Sequence, residues 1–131
     1  MRNISFALTT DQVVNGTKTV TRRMGWKFLK PGDLLQPVRK CMGLRPGEKL
    51  EKLRGPIRVL SVRRESLWRM WREWNYGEEE CRLEGFSSMT PFDFIDMFCA
   101  SHKGCNRGSE VTRIEFEYLP AVQHTPTQSE K

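Results

Sequence analysis

Alternating apolar and polar positions predict short β-strands at the start, in the middle and at the end of the chain. Near the N-terminus, Ile4, Phe6 and Leu8 alternate with small or polar residues, which predicts a strand with one buried face. The same alternation predicts further strands over residues 34–38, 56–64 and 111–119. These segments are too few and too short for a doubly wound sheet, so we expect a small sheet that curls around its core.

Two of these strands allow further predictions, one about position in the sheet and one about which side chains share a face. Proline has no N–H to donate to a sheet ladder, so Pro37 indicates an edge strand or a bulge. In the strand over residues 56–64, alternation places Ile57 on one face and puts Leu60 and Val62 together on the opposite face.

Apolar residues at helical spacing predict three short helices between the strands. The first covers residues 9–14 and stops at Gly16, because glycine readily adopts the left-handed conformation of a helix C-cap. The second ends at residues 75–77, and the acidic run over residues 78–80 is interpreted as a solvated turn or the start of another short helix. The third begins at Pro91, since proline suits the first helical position.

Together, these elements predict an α+β fold that is mainly β: a small, partly open β-barrel with short helices at its ends. A chain of 131 residues is long enough for one domain with a real core, which we place over residues 1–119. Residues 120–131 are polar and are expected to form a disordered tail. There is no apolar run near the ~20 residues of a membrane span and no signal-peptide core, so we expect a cytoplasmic protein without membrane contact.

Positive charge is concentrated in one part of the chain. From Lys18 to Arg64 there are 14 lysines and arginines against 3 aspartates and glutamates, whereas from Glu65 to the end there are 7 against 12. Such a basic segment is typical of a surface that binds phosphate, although solubility alone is the alternative explanation. Trp26 and Phe28 lie within it and are suitable for stacking on nucleobases. The charge and these aromatic residues therefore indicate a nucleic acid as the partner.

The most polar stretch, residues 15–23, is the candidate site. It contains one lysine, three threonines and two arginines around a single apolar residue, Val20. In an extended chain the threonines share one face with Arg23, while Lys18 and Arg22 point the other way. Side chains this polar need partners when buried, so we expect a wet surface or pocket that receives an anion or the polar edge of a base. A basic loop that only solubilises the protein is the alternative.

The four cysteines, Cys41, Cys81, Cys99 and Cys105, do not form a standard zinc motif. Cys99 and Cys105 flank His102, so these three residues could form a metal site together with Cys81 or Cys41. Reduced thiols without a metal are the main expectation, because no secretion signal accompanies them. We therefore expect neither a metal nor a cofactor.

One set of motifs resembles the ASCH domain family. The pattern Gly-x-Lys-x-x-Thr-x-Arg runs from Gly16 to Arg23, Pro-Gly-Asp at residues 31–33 opens a strand, and Glu-Gly-Phe at residues 84–86 precedes a helix. The resemblance covers roughly residues 3–119, and the longer middle loop and the cysteine-rich segment are similar to variants in phage proteins. It implies a PUA-like β-barrel that handles RNA, nucleotides or modified nucleosides.

The resemblance leaves two kinds of function open. The first is the binding of RNA or a nucleotide in a basic pocket, and the expected ligand-binding residues are Thr19, Arg22, Arg23 and Trp26. The alternative is an amidohydrolase that removes the acetyl group from acetylcytidine-type nucleosides, or a ribonuclease that uses the same cleft. The residues that match the catalytic set of that amidohydrolase are Lys18, Thr21 and Glu84.

Chemistry by Lys18 depends on its protonation state. A lysine acts as a base at neutral pH only if its pKa falls well below the usual ~10.4. Burial and the neighbouring Arg22 and Arg23 would lower this pKa, whereas Glu84 would raise it. From the sequence alone, the same residues could equally form an ion pair that closes the mouth of the barrel.

Overall fold

This computed structural model describes residues 1–120 of the chain, which contain five β-strands and four α-helices. The strands are Arg2–Ser5 (β1), Val20–Arg23 (β2), Leu34–Val38 (β3), Ile57–Ser66 (β4) and Glu110–Tyr118 (β5). The helices are Thr10–Val14 (α1), Trp68–Arg72 (α2), Trp74–Leu83 (α3) and Pro91–Ser101 (α4), and a 3-10 turn covers Ala7–Thr9. None of these helices has the length and hydropathy that crossing a bilayer requires. The expected disordered tail falls, from residue 121 onward, outside the described residues.

The five strands form one open, mixed sheet in the order β1-β3-β4-β5-β2. β1 and β3 are parallel, and the other neighbouring strands are antiparallel. The expected α+β, mainly β fold is confirmed, but the sheet does not close, because β1 and β2 form its two edges. The edges are linked by a side chain: Arg23 Nη2 in β2 donates to the carbonyl oxygen of Ser5 in β1 at 2.6 Å.

Two hydrophobic cores hold the elements together. The core against the sheet includes Ile4, Val13, Ile57 and Phe116. The core among the helices includes Leu67, Met70, Phe94 and Ile95. The segment before β2 lies between the two cores, since Thr19 N–H donates to Leu83 O at 2.9 Å and Thr19 O accepts from Phe116 N–H at 3.0 Å. Lys18 is thereby fixed beside the end of α3.

Two expectations about the first half of the sheet were wrong. The first strand ends at Ser5, and Leu8 is 68% exposed because the chain turns into the 3-10 segment at Ala7. β3 is an interior strand although it contains Pro37. The proline is tolerated because β4 pairs only with Leu34 and Leu35, so no ladder to β4 requires the missing N–H.

A bulge between Val59 and Ser61 overturns the expected faces of β4. The extra residue, Leu60, points to solvent and is 44% exposed, while Val62 packs against the sheet core. One additional residue on one strand moves the following side chains to the other face, which simple alternation does not anticipate.

Helix α3 continues through the position where a helix end was expected. The break lies earlier, at Glu73, and the acidic residues 78–80 belong to α3. Gly77 is required by packing and not by a turn, because a Cβ atom at this position would lie 1.9 Å from Met70 O. The absent side chain lets α3 pass directly against α2 and orients one face of α3 towards the sheet.

Candidate active site

A cavity of about 260 Å³ opens between the end of β1, the segment before β2, the end of α3 and helix α4. Its polar lining comes from Lys18, Thr21, Arg22, Arg23 and Glu84. The rest of the lining is largely apolar and includes Phe6, Phe86, Phe94, Met97, Phe98 and His102. The structure thus brings the three expected catalytic residues, and two of the four expected ligand-binding residues, Arg22 and Arg23, to one cavity.

Lys18 reaches this cavity from a tight turn. Gly16 has φ +78°, and the N–H of Lys18 donates to Gln12 O at 3.2 Å, so the backbone folds back on α1. Lys18 Nζ donates to Glu84 Oε1 and to the Glu84 carbonyl oxygen, both at 2.8 Å. These two bonds use two of the amine's tetrahedral positions, and a third position remains for either a proton or a lone pair.

Burial lowers the pKa of Lys18 below its usual value, because the ammonium is almost fully removed from water. The charge and hydrogen bond of Glu84 oppose this shift, and the nearby Arg23 and Arg22 reinforce it. The desolvation effect is the largest of these, so the pKa of Lys18 is lowered despite the ion pair with Glu84. A neutral Lys18 is therefore accessible nearer to neutral pH.

Glu84 is positioned by the C-terminus of α3. Gly85 has φ +96°, its N–H donates to Arg82 O at 3.1 Å, and Phe86 N–H donates to Cys81 O at 2.8 Å. This pair of bonds is the Schellman motif, which needs a residue without a Cβ at the left-handed position. The motif turns the chain so that Glu84 faces Lys18 and Phe86 packs on the helix core.

Thr21 and Arg23 point to the same side of β2, as the alternation predicts. Arg23 Nε donates to Thr21 Oγ1 at 3.1 Å, and the guanidinium carbon lies 4.9 Å from the centre of the Phe6 ring. Burial lowers the pKa of Arg23 to about 10, against the opposing charge of Glu84. A cation that contacts the hydroxyl oxygen of Thr21 stabilises negative charge developing on that oxygen.

Arg22 lies in a buried network of carboxylates, which corrects the expectation that residues 15–23 are simply wet. Its Nη2 lies 2.8 Å from Glu65 Oε2 and 2.6 Å from Glu80 Oε1, and its Nη1 lies 3.1 Å from Glu84 Oε2. Burial opposes the charge of Arg22, but these three carboxylates together raise its pKa above the usual value. Arg113 completes the network through Glu80, at 2.6 Å.

The carboxylates of this network titrate at lower pH than usual. Burial opposes ionisation of Glu65, but the hydrogen bond and the charge of Arg22 bring its pKa down to about 2. For Glu80, burial is likewise outweighed by hydrogen bonds to Arg113 and Arg22, and its pKa is lowered. The network therefore stays ionised at neutral pH, and it holds the Glu84 carboxylate in place through Arg22.

Two expected ligand-binding residues lie away from the cavity wall. The backbone of Thr19 hydrogen-bonds to Leu83 at the end of α3 and to Phe116 in β5, and the Thr19 side chain is only half-buried. Trp26 packs against the sheet core and contacts Phe28, with ring centres 5.4 Å apart. Arg22 touches the cavity, but its guanidinium is committed to the network.

Several functional-looking residues were missed in the sequence. Glu80 was interpreted as part of a solvated run, although it lies one helical turn before Glu84 and therefore on the same face of α3. Glu65 and Arg113 lie on neighbouring strands and gave no local signal. The aromatic residues of the cavity were not recognised either, since a pocket and a core use the same apolar residue types.

No group of three potential metal ligands (histidine, cysteine, aspartate or glutamate side chains) comes together within residues 1–120. Cys81 is buried in the helix core, whereas Cys41 is exposed. The conceivable metal site that includes Cys99, His102 and Cys105 is therefore not assembled in the described part of the chain.

Two solved structures have a similar fold. A mutant of ZmASCH from Zymomonas mobilis superposes with a TM-score of 0.52 at 14% identity, over 89% of this chain and 67% of that chain. Protein EF3133 from Enterococcus faecalis V583, described with the family model DUF984, superposes with a TM-score of 0.56 at 14% identity, over 91% of this chain and 76% of that chain. No family model matches the sequence. No curated protein matches it.

The fold and the cavity define a class: a small α+β domain with an open sheet and a charged pocket at its edge. At 14% identity the comparisons establish the fold alone. That fold is ASCH-like, as the motifs at residues 16–23 and 84–86 predict.

Proposed function

We propose that the protein is an amidohydrolase that removes the acyl group from a small N-acylated nucleoside of the acetylcytidine type. The observation that supports this function best is the meeting of Lys18, Thr21 and Glu84 in one partly apolar cavity. Its volume of about 260 Å³ lies just below the ~300–1,000 Å³ typical of small-molecule sites. Such a cavity suits a base with its acyl group better than a folded RNA.

In this mechanism Thr21 Oγ1 attacks the acyl carbon and neutral Lys18 accepts the hydroxyl proton. Arg23, which already donates to Thr21 Oγ1 at 3.1 Å, orients this oxygen and stabilises the negative charge on it as its proton leaves. Lys18 then gives its proton to the leaving amine, and water hydrolyses the acyl-threonine to restore the hydroxyl. The overall reaction consumes one water and releases a carboxylic acid and the free nucleoside.

Glu84 fits a positioning role better than the role of proton donor. Both of its carboxylate oxygens accept hydrogen bonds, one from Nζ of Lys18 and one from Nη1 of Arg22. Both oxygens therefore serve as hydrogen-bond acceptors in this structure. Glu84 therefore orients Lys18, while the lowered pKa of Lys18 removes the main objection to its acting as a base.

The test is incubation of purified protein with acetylcytidine and chromatographic detection of cytidine and acetate. We expect turnover by the wild type, and a loss of about 10²–10⁴-fold in Lys18→Met, which keeps the volume of the side chain but removes the base. Thr21→Val, which removes only the nucleophilic oxygen, should be inactive.

Matched controls come from exposed residues of the same type. Lys30→Met changes an exposed side chain, and Thr17→Val changes an exposed hydroxyl that hydrogen-bonds to Asn15 Oδ1 and Gln12 O outside the cavity. The turnover of both variants should therefore equal that of the wild type. Circular dichroism must show that all four variants are folded. Absence of turnover in the wild type, or equal turnover in the folded Thr21→Val variant, would refute the proposal.

Nucleic-acid binding is a second candidate, and a different surface supports it. Phe28 is 54% exposed, Trp26 lies beside it, and the guanidinium carbon of Arg2 lies 4.5 Å from the centre of the Phe28 ring. An exposed aromatic ring flanked by a cation is suited to stack on a base of single-stranded RNA. This surface is separate from the cavity wall, so the two functions can be tested independently.

The measurement is fluorescence anisotropy with a labelled single-stranded RNA at several salt concentrations. We expect affinity to fall steeply with salt and to drop about 10-fold in Phe28→Ala, because base stacking is worth ~1–3 kcal/mol. Trp74→Ala, at an exposed aromatic residue on α3, is the control. Binding that ignores salt, or an equal loss in both variants, would exclude this surface as the RNA site.

A further inference from the structure

Two thiols lie close together at the end of α4, beside the cavity. Cys99 is in the last turn of the helix and Cys105 is in the following loop, and their Sγ atoms are 3.5 Å apart. Cys105 Sγ also contacts Asn106 O at 3.7 Å. Both side chains are partly accessible to solvent, unlike Cys81, which is buried.

The loop between the two thiols forms part of the cavity wall. His102 lies within this loop and lines the cavity together with Phe98. Its ring stacks on Phe98 with centres 4.1 Å apart, and its Nδ1 lies 2.8 Å from Phe98 O. Any bond between the thiols would close a ring that contains this wall residue.

We propose that Cys99 and Cys105 form a reversible intramolecular disulfide that fixes the His102 side of the cavity. A disulfide has an S–S distance of ~2.05 Å, so the sulfurs must approach by about 1.5 Å from their present 3.5 Å separation. The spacing of five intervening residues and the left-handed turn at Gly104, with φ +78°, give the loop a short return path. The absence of a third ligand near the pair, within residues 1–120, favours a thiol–thiol bond over a metal site.

The reaction with a peroxide oxidant balances in two steps. Hydrogen peroxide oxidises one thiol to a sulfenic acid and is reduced to water. The second thiol then attacks the sulfenic sulfur, the S–S bond forms, and a second water leaves with the thiol proton. Burial raises the pKa of Cys99 to about 11, with a further contribution from its hydrogen bond with Cys105, so Cys99 stays protonated at neutral pH. A dithiol reductant reverses the reaction.

The test uses the full chain with Cys41→Ser, which removes the exposed thiol that would cross-link separate molecules. The protein is treated with hydrogen peroxide, alkylated and digested, and the peptides are identified by mass spectrometry with and without dithiothreitol. We expect a reducible link between Cys99 and Cys105, and slower amide hydrogen exchange over residues 102–105 in the oxidised protein. Cys41→Ser/Cys105→Ser is the matched control and should show neither change.

Each outcome decides the proposal without reference to hydrolysis. Formation of the link together with slowed exchange supports it. Separate oxidation of the two thiols to sulfinic acids, or no oxidation at all, overturns it. A link that forms while the exchange of residues 102–105 is unchanged also overturns it, because the wall is then not fixed by the bond.

Discussion

Replacing Glu80 with glutamine should strongly destabilise the fold. Glu80 accepts three hydrogen bonds from two buried guanidiniums: 2.6 Å from Arg22 Nη2, 2.6 Å from Arg113 Nε and 3.0 Å from Arg113 Nη2. Glu80→Gln preserves the shape of the side chain but removes its negative charge and turns one acceptor into a donor. Arg22 retains Glu65 and Glu84, whereas the next nearest carboxylate to Arg113, that of Glu115, is 4.0 Å away.

The expected loss of folding stability arises because Glu80→Gln leaves the buried charge of Arg113 without its partner. Breaking one side of a buried ion pair costs ~3–5 kcal/mol. For a domain of this size such a loss lowers Tm on the order of 10 °C. The free energy of unfolding is measured by urea titration, with tryptophan fluorescence and circular dichroism as independent probes.

The neighbouring Glu79 provides the matched control. It pairs with Arg82 on the exposed face of α3, 2.5 Å away, and exposed pairs contribute little. Glu79→Gln should therefore leave the urea midpoint unchanged. A Glu80→Gln variant that loses less than ~1 kcal/mol would refute the inference that this network supports the fold.

Further predictions concern packing and pH. Gly77→Ala should lower Tm markedly, because the new Cβ would lie 1.9 Å from Met70 O. Gly108→Ala is the control and should leave Tm unchanged, because the atom nearest to its new Cβ is 3.5 Å away. Equal melting curves for the two variants would contradict this prediction. Stability should fall as pH drops from ~4.3 towards 2, because the folded pKa of Glu65 is lowered to about 2 and its contribution is lost when it is protonated. Urea titrations at pH 7 and pH 3 should show a smaller loss for Glu65→Gln than for the wild type, and an identical loss would exclude Glu65 as a source of the pH dependence.

Local patterns predicted most of the secondary structure, because each relevant signal lies within a few residues. Residues 34–38 form a strand after the Pro-Gly-Asp turn, and Pro91 begins α4 with Thr90 as its N-cap. The errors occur where one inserted residue or one distant contact decides the outcome. The bulge at Leu60 reverses the faces of β4, and Gly77 is explained only by the passage of another helix.

The candidate site was partly predictable for the same reason. Lys18, Thr21 and Arg23 belong to one short segment, so their spacing carries information about a shared surface. Helical spacing connects Glu80 in α3 with Glu84 at its C-cap, but Glu65 comes from β4, and no local pattern connects it to the other two carboxylates around Arg22. Their effect on the site, a buried ionised network that holds Glu84, therefore becomes visible only in three dimensions.

The pH dependence of kcat/KM for acetylcytidine tests most directly whether Lys18 is the base of this cavity. A base with a lowered pKa makes kcat/KM rise as Lys18 loses its proton and level off below ~10.4, the pKa of an ordinary lysine. The rise of kcat/KM with pH should be absent in Lys18→Met and present in Lys30→Met. A rate that still climbs through pH 10.4, or a rising limb that persists in Lys18→Met, would contradict the account.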